Sequence, residues 1–138
     1  MQPSGYSGTP LAKKLGIKEG FIVSLFNQPT HYFELFTDLP QIKIVKDKKI
    51  KKAFIHYFVT KEKELAKEIN VLKEQIVQNG IIWISWPKKS SKVETDITED
   101  VIRNIALKNG LVDVKVCAID EIWSGLKLVI PVKDRKKE

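Results

Sequence analysis

The stretch Ile81-Ile82-Trp83-Ile84-Ser85-Trp86-Pro87-Lys88-Lys89-Ser90-Ser91-Lys92 decides how this chain folds. Its first six residues are almost wholly apolar and end at a proline, the pattern of a strand covered on both faces. Side chains alternate across a strand, so Trp83 and Trp86, three positions apart, point to opposite faces and anchor two cores rather than one stacking platform. Beyond Pro87 the chain passes directly into three lysines and two serines. Ligands of an open α/β sheet bind in the crevice beyond the carboxyl ends of the strands, and no other strand here ends in such a cluster of anion-binding side chains. Lys88, Lys89, Ser90, Ser91 and Lys92 are therefore the first candidates for a site that holds a phosphate or carboxylate.

Working outward, Thr9 and Pro10 are suited to start a short helix over Leu11 to Leu15 that Gly16 stops. Phe21 to Phe26 reads as a buried central strand, and Asn27-Gln28-Pro29 breaks it. A short aromatic helix follows through Tyr32, Phe33, Leu35 and Phe36, and after Pro40 a second strand covers Ile42 to Val45. Ala53 to Val59 is a third strand. The helix after it, capped near Thr60, repeats Leu65, Ile69, Leu72 and Ile76 at helical spacing, and Asn79-Gly80 is its expected stop. Thr98 caps a further helix with Glu99 and Asp100 in its positive first turn and Ile97 and Ile102 at staple positions, and Asn109-Gly110 ends it. Val112, Val114, Val116 and Ala118 then alternate with polar residues, as expected of an edge strand with one buried face. Asp120 to Gly125 connects it to a last strand, Leu126 to Ile130. Strands alternating with helices imply a mostly parallel sheet layered between helices, closed by an antiparallel hairpin.

With 138 residues, 43% of them hydrophobic and 30% charged, the chain suits one domain over 1–132 followed by a frayed basic tail, 133–138. No apolar stretch approaches the length needed to span a bilayer, and no leader pattern opens the sequence, so a cytoplasmic soluble protein is expected. Cys117 is the single cysteine, and with only two histidines a multi-thiolate metal site is excluded. Cys117 reads as a small core residue, and neither His31 nor His56 has a partner visible in the sequence. The net charge of +7 raises weak, sequence-independent nucleic-acid binding, yet only Arg103 and Arg135 are arginines, whereas base readout favours arginine's fork. The run Lys46 to Lys52 reads as a solvated loop.

The order of parts resembles the class I methyltransferases: a leading helix, a first strand, a helix running to Asn79-Gly80 before a strand, and a closing helix and hairpin. That resemblance implies a Rossmann-like three-layer sandwich with one helix-strand unit missing, six strands in the order 2-1-3-4-6-5, and the last strand antiparallel. The strings Ser7-Gly8-Thr9-Pro10-Leu11 with Lys14-Leu15-Gly16-Ile17, Trp83-Ile84-Ser85-Trp86-Pro87-Lys88-Lys89, and Leu111 to Asp120 with Trp123-Ser124-Gly125-Leu126-Lys127-Leu128, also look like a bacterial family of unknown function, which implies no mechanism. In one respect the chain departs from the methyltransferase pattern: the first strand is followed by Asn27-Gln28-Pro29-Thr30, where a glycine-rich turn would let the backbone approach a cofactor.

Two further groups join the lysine turn as candidates. Asp120, Trp123 and Ser124 sit in the hairpin connector, where a tryptophan can stack on a planar ligand. Asp96 and Arg103, seven apart, are placed to share the helix entrance, and Asn27 stands at the end of the first strand. No nucleophile with its base, metal cluster or phosphate loop is present. The residues favour a non-enzymatic α/β module, monomeric or dimeric, without a cofactor, that binds a small anionic ligand or a protein partner at the carboxyl edge. A degenerate S-adenosylmethionine- or nucleotide-dependent enzyme is the alternative.

Overall fold

A computed structural model describes residues 9–137, and the Ser7-Gly8 start of the first motif lies outside them. Six strands form one sheet in the order β2-β1-β3-β4-β6-β5. They are β1 (Ile22–Phe26), β2 (Lys43–Ile44), β3 (Lys52–Phe58), β4 (Ile76–Pro87), β5 (Val112–Ala118) and β6 (Trp123–Val129). β2, β1, β3 and β4 pair in parallel, while β6 runs antiparallel to both neighbours. This is the mixed α/β architecture and strand order expected. β1 is an interior strand, paired with β2 on one side and β3 on the other, and β3 and β4 form the middle.

Helices α2 (Glu62–Glu74) and α3 (Glu99–Lys108) cover one face of the sheet, where Leu65, Ile69, Leu72, Ile102 and Ile105 meet Ile55, Tyr57, Ile82, Ile84 and Trp86. On the other face α1 (Leu11–Leu15) and a 3-10 turn, Tyr32–Leu35, pack on Val23, Leu25, Phe54, Phe58 and Trp83. Trp83 and Trp86 divide between these two cores, as strand alternation requires. The Trp83 indole N–H reaches across to the Leu15 carbonyl at 2.8 Å, which pins α1 to the sheet. Thr98 caps α3 through its hydroxyl, and Gly110 takes the left-handed conformation after it.

Asn79-Gly80 is not a helix stop. α2 ends at Glu74, and β4 already begins at Ile76 and runs through both residues. The start of β3 captures the chain early: the Lys52 amide donates to the Gln75 carbonyl (2.8 Å) and its ammonium to Gln75 Oε1 (2.7 Å). An irregularity then takes up residues 77–80 before Phe54 pairs with Ile81. Glycine is needed at position 80 for space, since a Cβ there would stand 2.8 Å from Ile76 Cβ and 2.9 Å from the Val77 carbonyl. Backbone cannot move aside as a side chain can, so Gly80→Ala should cost about 2 kcal/mol, read as a lower urea midpoint with an unchanged m-value.

Three more differences follow from the sheet. Trp123 and Ser124, expected in the connector, begin β6. β5 is an edge strand as expected, but an extra residue at Val114 interrupts its pairing with β6, so Val114 and Val116 are exposed rather than forming a buried face. A bulge reverses the alternation of everything beyond it. The tail is also held: Val132–Asp134 forms a 3-10 turn, Arg135 Nε donates to the Ile130 carbonyl (2.9 Å) and the Lys136 amide to Gln78 Oε1 (2.8 Å).

Candidate functional site

The chain order reverses between β1 and β3, since β1 leads outward to β2 and β3 inward to β4. A crevice opens beyond the carboxyl ends of strands at such a switch point. Here it is a cavity of about 260 Å³ lined by Asn27, Phe58, Val59, Thr60, Glu64 and Trp123. Asn27 follows β1 in the left-handed conformation (φ 57°) and donates from Nδ2 to the Phe58 carbonyl at 3.1 Å, joining the two strand ends. Trp123 meets Phe58 edge to face, with centroids 5.0 Å apart. The connector supports this wall: Asp120 Oδ1 accepts the amides of Ile122 (2.8 Å) and Trp123 (2.7 Å), and Oδ2 lies 3.1 Å from His31 Nε2.

Behind Phe58 lies a buried polar chain. Tyr32 Oη is 2.9 Å from His56 Nδ1, and His56 Nε2 is 2.7 Å from Ser85 Oγ. All three residues are buried, and the His56 ring stacks on Phe58 at 4.2 Å. Burial pushes the His56 pKa down to about 3, so the imidazole is neutral, with one donor and one acceptor nitrogen that the two hydroxyls satisfy. Burial likewise pushes the Tyr32 phenol up. This chain orders the floor of the crevice and does not open into it.

The sequence candidates separate into distinct places. Asn27 and Trp123 line the crevice, and Asp120 holds the connector at its rim. The Lys88 amide donates to the Ile122 carbonyl at 2.7 Å, which seats the lysine turn beside that connector. Lys89–Ser91 forms a 3-10 turn closed by Ser91 Oγ donating to the Lys88 carbonyl (2.6 Å), and Lys92 is left-handed. Neither Lys88, Lys89, Ser90 nor Lys92 lines the Trp123 crevice, and Ser124 pairs opposite Trp86 within the sheet.

Asp96 and Arg103 do not pair. α3 begins only at Glu99, so Asp96 lies outside the helix and turns to α2, where its Oδ1 accepts the Glu62 amide at 2.7 Å and caps a helix that has no side-chain cap of its own. Arg103 bonds Glu99, Asp100 (2.5 Å) and Asp113 (3.0 Å), tying α3 to β5. Phe58, Thr60, Glu64 and the His31–Asp120 contact escaped sequence reasoning. No local pattern marks them, because each depends on a strand end or connector brought close from far along the chain.

No family model matches the sequence and no curated protein is similar to it, so the likeness to a bacterial family of unknown function gains no support. The fold does have counterparts. A SAM-dependent methyltransferase from Aquifex aeolicus superposes with a TM-score of 0.60 at 15% identity, covering 87% of each chain. A putative type 11 methyltransferase from Sulfolobus solfataricus gives 0.60 at 14%, covering 93% of this chain and 90% of that one. The ribosomal protein L11 methylase from Lactobacillus delbrueckii gives 0.57 at 12%, covering 92% and 76%. The fold is thus methyltransferase-like. Among the described residues no helix is long and apolar enough to cross a membrane.

The fold family implies S-adenosylmethionine, and the turn after β1 does not fit its usual grip. Asn27 rather than glycine takes the left-handed position, Pro29 lacks an amide donor, and the β1–β2 connection holds only a four-residue 3-10 turn. Neither close backbone approach nor a helix N-terminus is available there.

Proposed function

We propose that this chain is a degenerate methyltransferase-fold domain whose crevice at the switch point binds the adenosyl part of a nucleoside ligand without the glycine-turn grip. The cavity bounded by Phe58, Trp123, Asn27, Thr60 and Glu64 supports this reading. Two aromatic walls suit a planar heterocycle, and the amide and hydroxyl suit its polar edge. Among the described residues Glu64 is the one ionisable group in the lining, so a neutral or cationic ligand is favoured there over a triphosphate. Adenosine and the sulfonium S-adenosylmethionine meet that condition better than ATP does.

Thermal denaturation with each compound tests the proposal. A ligand at tenfold excess over its Kd stabilises by about 1.4 kcal/mol, a shift of roughly 4 °C for a chain of this size. S-adenosylmethionine, S-adenosylhomocysteine or adenosine should produce that shift, Trp123→Ala should abolish it, and ATP should be inert. No shift with any adenosyl compound would overturn the reading. It would leave a second one: a non-enzymatic module that binds an anionic ligand or protein through Lys88, Lys89 and Lys92. That alternative rests on three lysines gathered on one short turn, which the Ser91 hydroxyl closes onto the Lys88 carbonyl.

A further inference from the structure

The positive charge of this protein is not spread over its surface. The parallel strands start, and β6 ends, at the amino edge of the sheet, opposite the crevice. Residues 47–52 enter β3 there, Lys73 and Glu74 close α2, Lys108 closes α3, and 133–137 follow β6. These segments carry ten lysines and arginines against three acids. The segments at the carboxyl edge, 59–64, 87–100 and 118–123, carry five basic residues against eight acids. The molecule is therefore electrically polarised from one edge to the other. Lysines at helix ends account for Lys73 and Lys108. They do not account for Lys48, Lys49, Lys133, Arg135, Lys136 and Lys137.

The same edge is concave. A cavity of about 290 Å³ lies between the end of α2, the start of β4 and the chain after β6, lined by Lys51, Lys73 and Lys136 together with Asn70, Gln78, Glu74 and Asp134 among others. The Lys136 backbone amide is fastened to Gln78 Oε1, so the basic tail forms one wall rather than trailing in solvent. Lys52 is buried behind this edge, its ammonium on the Asp47 carbonyl (2.7 Å) and Gln75 Oε1 (2.7 Å), and it adds to the field without contacting a partner.

We infer that the amino edge docks the phosphate backbone of a nucleic-acid duplex, independently of the crevice. A recess rimmed by lysine point charges matches a convex ridge of phosphates, and lysine suffices where no base is read. Among the described residues, the exposed large hydrophobic side chains include no aromatic at this edge, which disfavours stacking on unpaired bases and favours a duplex. Binding indifferent to sequence and strongly dependent on salt follows.

The test is fluorescence anisotropy with a labelled mixed-sequence DNA duplex of about 20 base pairs. If about four phosphates are neutralised, affinity falls with a log–log salt slope near −3.6, roughly 150-fold between about 50 and 200 mM salt. Replacing Lys48, Lys49, Lys136 and Lys137 together by glutamate should reduce affinity about a hundredfold, whereas Lys88→Glu, Lys89→Glu and Lys92→Glu together should change it less than about threefold. Should the glutamate variant not fold, the corresponding glutamine variant should still lose at least tenfold, by the same phosphate count. Equal losses from the two edges, a flat salt dependence, or binding to phosphatidylserine–phosphatidylcholine vesicles with none to the duplex would each overturn the inference.

Discussion

Trp83→Ala is expected to destabilise the fold by about 3–5 kcal/mol, the cost of removing a fully buried large aromatic side chain. Trp83 is wholly buried at the centre of β4. Its ring carbon Cε3 lies 3.0 Å from where a Cβ on Gly125 of β6 would stand, and its indole N–H holds the Leu15 carbonyl of α1. The substitution therefore opens a cavity, frees a helix carbonyl and loosens the brace on one face of the sheet. Domains of this kind are stable by about 5–15 kcal/mol, so the variant should sit near its unfolding threshold, with a Tm lower by roughly 10 °C or more. Trp83→Phe, which keeps most of the apolar volume and loses the hydrogen bond, should cost about 1–2 kcal/mol. Urea denaturation of both variants checks this. A loss below about 1 kcal/mol in the alanine variant would mean that α1 does not depend on the indole.

Acid should weaken the protein through His56. Its pKa falls from the ordinary 6.5 to about 3 on burial, so the unfolded chain binds a proton between those values that the folded chain does not. Stability rises with pH wherever the unfolded state holds more protons. The contribution is therefore fully present above pH 6.5 and is lost as pH falls toward 3. Between pH 6 and pH 4 the loss is about 2.5 kcal/mol, on the order of a third of a typical domain's stability. Carboxylates also titrate in that range, so the informative quantity is the difference between the wild type and His56→Gln, whose amide can still bond Tyr32 and Ser85. The two curves should converge by about 2.5 kcal/mol as the pH is lowered from 6 to 4. Parallel curves would show that the imidazole accepts its proton without unfolding the core.

Several features of the fold were legible because their causes are local. Gly16 and Gly110 stop α1 and α3, Thr98 caps α3, and Trp83 and Trp86 divide between faces, each as the sequence predicts. Local signals failed where a distant segment outbid them. Asn79-Gly80 has the composition of a helix stop, but β3 binds Gln75 and draws the chain into β4 five residues sooner. The alternating valines of β5 read as a buried face, but one extra residue at Val114 in a strand at the sheet edge leaves Val114 and Val116 in solvent.

The candidate site was legible to a smaller extent, for the same reason. Asn27, Asp120 and Trp123 were found because turn and connector residues stand out in sequence. Phe58, Thr60 and Glu64 look like ordinary strand-end and helix residues. Arg103 and Asp96, adjacent along the chain to acids and a helix start, proved to be fastened to Asp113 and to α2.

By itself the sequence determined the class of fold and the sequence of its elements, because hydrophobic period, capping residues and glycine stops act over a few residues and need no partner. Tertiary structure alone decided which polar groups meet. The Tyr32–His56–Ser85 chain and the His31–Asp120 contact join residues 24 to 89 positions apart, and a buried polar group takes whichever partner the packing offers. It also decided what the lysines mean. Composition counts charges without placing them, and only the strand order gathers those of 47–52, 73, 108 and 133–137 at one edge of the sheet, away from the Lys88–Lys92 turn.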